Sequence, residues 1–70
     1  MNINYDKLWK LLIDKKMKRT DLIQEAKISS NVLARMGREE PVSLESIVKI
    51  CVLLNCKVDD ILEFEKYSGN

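Results

Sequence analysis

The chain of 70 residues has no histidine, two glycines and one proline. Without histidine it lacks the commonest general base and a common zinc ligand of neutral pH. Its glycines, Gly37 and Gly69, are isolated, so no glycine-rich loop is available to cradle a phosphate. Cysteine is scarce too. Cys51 and Cys56 stand five apart, inside what reads as one helix and its end, a spacing that does not suit a local disulfide. There is no CxxC, and any zinc site would have to recruit carboxylates. Two reduced, partly buried thiols are expected, with no metal and no cofactor. Free thiols without a signal peptide point to the cytoplasm. The longest apolar run falls well short of the ~20 residues that cross a bilayer, which argues against a membrane partner. Aromatic residues make up 6% of the chain, too few for the platform that stacks unpaired RNA bases. Asp59-Asp60 reads as a helix start rather than an acid/base dyad. Cys51 is expected on a buried helix face, where a thiol is inert. No catalytic residue and no small-molecule substrate follow from this inventory, and the chain is not read as an enzyme.

What is present is a single domain's worth of apolar residues and a lopsided charge distribution. A chain this short buries a small core and gains stability from tight helix packing or from a partner. The net charge of +1 conceals two unlike halves. Residues 7 to 38 carry nine basic groups against three acidic ones, and residues 39 to 70 carry three against seven. Such polarity suggests an anionic partner bound on one side only.

Apolar spacing predicts five short helices and no strand. The first runs to about Lys15, capped by Asn4 or Asp6, with Tyr5, Leu8, Leu11 and Leu12 inward and Trp9 and Ile13 at the edge. The second covers residues 19–26, with Leu22, Ile23 and Ala26 inward. Lys27 lies in the turn and Ile28 plugs the corner. Ser29 caps a third helix over residues 30–36, with Leu33 and Met36 inward, and Gly37 is placed to stop it. Ser43 caps a fourth helix whose stripe is Leu44, Ile47, Val48, Cys51 and Leu54, widened by Ile50, Val52 and Leu53. A fifth helix is expected from Val58 or Asp59 to Glu65, followed by a frayed tail over residues 66–70. The whole is an all-α, compact five-helix bundle forming one domain.

The stretch from about 18 to 37 carries the functional signal. Two short helices meet at a turn, and the second exposes short polar side chains at its start and a long one a turn later. This is the arrangement that places a recognition helix in the major groove of double-stranded DNA. The exposed residues would be Ser29, Ser30, Asn31, Ala34 and Arg35. Arg35 lies four residues after Asn31 on the same face. Asparagine pairs well with adenine in that groove, and arginine with guanine.

The segment from Met17 to Leu62 resembles the Cro/Xre-type, phage-repressor-like helix-turn-helix domain. The likeness is carried by Leu22, Ile28, Ser29 and Leu33, by the helix from Ser43 to Leu54, and by Asp60, Ile61 and Leu62. The resemblance implies a lambda-repressor-like fold and a small transcriptional regulator, with repression the expected direction. It implies base-facing roles for Ser30, Asn31 and Arg35, and phosphate-facing roles for Lys18, Arg19, Ser29 and Arg38. The start of the fourth helix at Ser43 is a further phosphate-facing position, and the start of the second helix should attract a phosphate as well. The family's Thr-Gln pair is replaced here by Lys18 and Arg19, which keep affinity for phosphate. Its turn glycine is replaced by Lys27, at a cost of about 1 kcal/mol if the residue is left-handed.

A domain this small reads few base pairs, so a homodimer on a two-fold-related site is expected. Ile50, Val52, Leu53, Phe64 and Tyr67 could supply the interface or complete the monomer core. The rival reading is a protein-interaction module, antitoxin-like or phage-accessory, that grips a protein partner. The acidic second half fits that reading.

Overall fold

Four α-helices and one strand pair make up the fold, and the computed structural model of the chain describes residues 2–65. Strand β1, Asn2–Asn4, leads into α1, Asp6–Asp14. Then come α2, Asp21–Glu25, and α3, Ser30–Gly37. The longest helix is α4, Leu44–Leu54. A single 3₁₀ turn, Val58–Asp60, precedes strand β2, Glu63–Glu65.

The expected fifth helix and the absence of strands are therefore corrected. After the 3₁₀ turn the chain extends, and β2 pairs antiparallel with β1, Ile3 facing Phe64. Pairing with a strand about sixty residues away overrides the weak helical pattern of residues 58–65, a tertiary preference that local spacing does not carry. Asp60 does serve the start of its turn, because its carboxylate accepts from the Lys57 amide at 2.9 Å. The Lys7 ammonium ties α1 to this turn by donating to the Asp59 carbonyl at 3.1 Å. The frayed tail and Tyr67 lie outside the described residues.

Local chemistry sets the helix starts as expected. Ser29 accepts from the Val32 amide at 3.1 Å, and Ser43 accepts from the Ser46 amide at 3.2 Å. Each satisfies a first-turn donor that has no partner within its helix. Asn4 contributes to the start of α1 by accepting from the Asp6 amide at 3.2 Å.

Helix ends follow a rule the sequence hides. Lys16, Glu39 and Asn55 all have positive φ, near 60°. At each, the following amide reaches back across the last turn: Met17 to the Leu12 carbonyl, Glu40 to Arg35 and Cys56 to Cys51. These are Schellman ends built without glycine. Gly37 is not the stop it was expected to be. It is the last helical residue of α3, and the left-handed position falls two residues later on Glu39. Nothing lies within 4 Å of a Cβ added at Gly37. Gly37→Ala should therefore stabilise the protein by about 0.5–1 kcal/mol, because alanine loses less backbone entropy in a helix. Thermal unfolding checks it, with a rise of roughly 2–8 °C expected for a domain of this size. A fall in melting temperature would restore Gly37 as a left-handed stop.

The core gathers Tyr5, Leu8 and Leu12 from α1 and its approach, Leu22 and Ala26 around α2, and Met36 from α3. Ile28, Ile47, Ile50, Leu54 and Ile61 complete it. On α4 the expected stripe is rotated. Ile47, Ile50 and Leu54 face inward, while Leu44, Val48 and Val52 stand 72%, 47% and 75% exposed. The only charged residues of the helix, Glu45 and Lys49, lie opposite Ile47, Ile50 and Leu54, and the apolar residues beside them, Leu44, Val48 and Val52, blur that signal in the sequence. Ile50 and the half-buried Leu53 thus belong to the monomer core, whereas Val52 and Phe64 remain at the surface.

Cys51 and Cys56 are half-buried and meet across the end of α4, the Cys56 amide donating to the Cys51 carbonyl at 3.0 Å. Burial pushes the Cys56 thiol up to about 11, with the neighbouring Cys51 adding to the effect. Cys56 is therefore protonated and a poor nucleophile at neutral pH. No helix among the described residues is long and apolar enough to cross a membrane.

Candidate nucleic-acid interface

The turn between α2 and α3 is built from three consecutive residues. Lys27 has φ 63°, in the left-handed region that a glycine would enter without cost. Ile28 follows and is buried, plugging the corner. Ser29 then turns extended, at φ −80° and ψ 159°, and caps α3. The lysine keeps the geometry expected of a glycine, so the substitution changes the strain of the turn and not its shape.

Within α3, Met36 is fully buried while Val32 and Leu33 are half-buried. The opposite side of the helix exposes Ser30, Asn31, Ala34 and Arg35. Ser30, Asn31 and Arg35 are thus brought to one open face at the N-terminal and middle turns of the helix. Short side chains come first, where a helix must approach closely, and the long guanidinium follows.

The phosphate-facing candidates divide into three kinds. Ser29 and Ser43 are exposed helix caps whose oxygens already hold an amide. Ser43 also shares a 3.0 Å contact between hydroxyls with Ser46. Lys18 and Arg19 are exposed ahead of α2. The start of α2 offers fewer free donors than expected. The Lys18 amide donates to the Asp21 carboxylate at 2.9 Å. The amides of Asp21, Leu22 and Ile23 donate to the carbonyls of Lys18, Arg19 and Thr20. The amides of Arg19 and Thr20 and the pair of cationic side chains remain there for an anion. The Arg19 guanidinium is not loose; it lies 3.8 Å from the centroid of the Trp9 ring.

Arg38 is of the third kind, because it is already paired. Its Nε donates to Glu40 at 2.9 Å and its Nη2 to the other carboxylate oxygen at 3.5 Å. The Arg38 hydrogen bond holds the Glu40 carboxyl below the usual range, with the charges of Arg38 and Arg35 assisting, so Glu40 stays ionised at neutral pH. Glu40 is thus a built-in competitor for a cation that could otherwise meet a phosphate. Glu40→Gln should tighten binding to mixed-sequence duplex DNA roughly two- to fivefold at low salt, the scale of an exposed ion pair, and the gain should shrink as salt rises. Fluorescence anisotropy at two ionic strengths reads both effects; unchanged affinity at low salt would mean that Arg38 points away from the DNA.

Sequence reasoning missed two parts of this surface. The Arg38–Glu40 pair joins residues two apart in a loop, where the sequence shows the charges and not their pairing. The Trp9–Arg19 stack joins residues ten apart on different elements, and no local pattern announces it. Tyr5 joins the two ends of the surface. Its ring lies against Trp9 at 6.4 Å between centroids, tilted by 57°, and its hydroxyl donates to the Glu40 carbonyl at 2.7 Å. Burial pushes the Tyr5 hydroxyl up, which keeps that donor protonated.

Comparison with known proteins adds two findings. The family model described as the Cro/C1-type helix-turn-helix DNA-binding domain matches residues 7–66. The crystal structure of the transcriptional regulator VanUg, form II, is similar at 44% identity with a TM-score of 0.85, over 89% of this chain and 83% of that one. Curated proteins yield no match.

Proposed function

The chain belongs to the Cro/C1-type helix-turn-helix DNA-binding family and is a DNA-binding regulator, and from that premise we propose that it reads double-stranded DNA sequence-specifically through the major groove and represses by occupying its site. The observation that carries this reading is the division of α3 into two sides. Met36 fastens one to the core, and Ser30, Asn31 and Arg35 stand open on the other. Asn31 and Arg35 supply base-edge contacts, and Ser30 lets the helix approach closely. Lys18, Arg19, Ser29, Ser43 and, once released from Glu40, Arg38 supply phosphate contacts. Phosphate contacts give affinity and orientation; base contacts give the choice of site. The reaction is binding alone, without catalytic residue, metal or cofactor, and it takes place in the cytoplasm, where the thiols of Cys51 and Cys56 stay reduced.

Useful specificity from so small a domain comes with a second copy on a two-fold-related half-site, about one helical turn away. The Leu44, Val48 and Val52 stripe of α4 is the apolar surface that supports a homodimer. It carries no charge of its own to repel an identical copy, although Glu45 and Lys49 flank it as an ion pair at 3.4 Å. The same stripe would serve a different protein if the chain were an interaction module.

Selection from a random-sequence duplex pool at two salt concentrations tests the reading. An enriched motif with two-fold symmetry and weaker retention at high salt is the expected result. Enrichment of a single, asymmetric half-site would remove the dimer and keep the DNA reading. No enrichment and no salt-sensitive retention at micromolar protein would overturn sequence-specific binding by this chain, and a stoichiometric co-purifying protein would then put the interaction module in its place.

A further inference from the structure

Trp9 is the only tryptophan of the chain, and the core does not enclose it. It sits half-buried on α1 with the Arg19 guanidinium over its ring, 3.8 Å from the centroid. Tyr5, itself buried, also packs against the indole and is fixed by its 2.7 Å bond to the Glu40 carbonyl. The ring is therefore held before any partner arrives.

A guanidinium whose carbon sits 3.8 Å over an aromatic ring meets no hydrogen-bond acceptor in that contact, so the N–H groups of its fork stay free for another partner. That fork is the geometry in which arginine meets two oxygens of a phosphate. Arg19 also differs from Arg38. Among the described residues it has no carboxylate partner, the ion pairs being Arg38–Glu40 and Lys49–Glu45. Its charge is ordered by an uncharged surface and is not neutralised. An exposed arginine without such a platform would have to lose its rotamer freedom on binding.

We propose that Trp9 is a positioning residue for DNA binding: an aromatic platform on α1 that presents the fork of Arg19 to a backbone phosphate. The inference rests on the duplex-DNA reading above and adds to it a residue outside the helix-turn-helix. The plainer reading is that Arg19 merely covers an exposed ring. The two differ in whether the effect of Trp9 on binding requires Arg19.

The test is a double-mutant cycle read by titration of a fluorescent mixed-sequence duplex at several salt concentrations. It uses the full chain as wild type, Trp9→Leu, Arg19→Ala and the double variant, each checked for helical content. Trp9→Leu is expected to weaken binding about two- to tenfold, the scale of an arginine–aromatic contact. Arg19→Ala should weaken it further and lower the slope of log affinity against log salt by about one. In the Arg19→Ala background, Trp9→Leu should add nothing. Trp9→Phe, which keeps a smaller ring, should restore most of the affinity, and Trp9→Met carries the same cycle if the leucine variant fails to fold. Equal losses from the tryptophan change with and without Arg19, or no loss at all, overturn the platform while wild-type binding leaves the DNA reading standing. Absence of salt-sensitive binding by the wild type removes that reading and the platform with it.

Discussion

Met36→Ala is expected to lower the stability of the protein by about 2–5 kcal/mol, the usual cost of truncating a fully buried methionine to alanine. Met36 is 0% exposed and joins α3 to a cluster drawn from every helix. The void left behind cannot fill without moving the recognition helix, since Val32 and Leu33 reach only the margin of the core. A domain of 70 residues has a total stability on the order of 4–10 kcal/mol. The loss is therefore comparable with the whole, and a substantial unfolded fraction should be present at 37 °C. Urea denaturation followed by circular dichroism measures it. Met36→Leu conserves volume and should cost less than about 1.5 kcal/mol. The two variants also separate folding from recognition. Duplex DNA binds only the folded chain, so saturating DNA should recover the helical signal of Met36→Ala. A cost below about 1 kcal/mol for Met36→Ala would mean that the core does not set the attitude of α3.

The parts of this fold that could be read in advance are those whose causes lie within a few residues. Ser29 and Ser43 cap their helices because a hydroxyl needs only an amide three positions on. Ile28 as the corner plug and Leu22 and Met36 as core are equally local. So is the exposure of Ser30, Asn31 and Arg35, which follows from the helical period once Met36 is known to face inward. The left-handed Lys27 follows instead from the family resemblance, whose turn glycine falls at that position.

The parts that could not be read have distant or ambiguous causes. The β1–β2 pair depends on segments from opposite ends of the chain, each too short to show alternation. The rotation of α4 is ambiguous from its apolar residues alone, because Leu44-Val48-Val52 is as good an apolar row as Ile47-Ile50-Leu54. The exposed Glu45 and Lys49 mark the outer side, and packing seats Ile47, Ile50 and Leu54 inward. The helix ends at Lys16 and Glu39 use residues that enter the left-handed region reluctantly, so the one well-placed glycine, Gly37, gave a false signal two residues early. Among the phosphate-facing candidates, composition reveals that Arg19 and Arg38 are cations. It does not reveal that one is held by an aromatic ring and the other by a carboxylate.

That difference gives Arg35 its diagnostic value. Arg35→Ala is expected to weaken binding to the selected site about 5- to 150-fold, the discrimination of roughly 1–3 kcal/mol carried by one bidentate arginine–guanine contact. The change leaves the core intact, because Arg35 is exposed and its carbonyl, which accepts the Glu40 amide at 2.9 Å, is retained. A phosphate contact and a base contact then part company. Loss of a phosphate contact weakens every duplex alike and lowers the salt slope, whereas loss of a base contact weakens the selected site far more than a scrambled one. The quantity to measure is the ratio of the two affinities at fixed salt, for wild type and for Arg35→Ala. A ratio that collapses toward one assigns sequence reading to this guanidinium. A ratio that persists while both affinities fall would make Arg35 a backbone contact and leave Asn31 as the reader. If neither affinity changes, the face of α3 that carries Arg35 is not the one turned to the DNA, and the docking of the helix must be redrawn around Lys18, Arg19 and the start of α4.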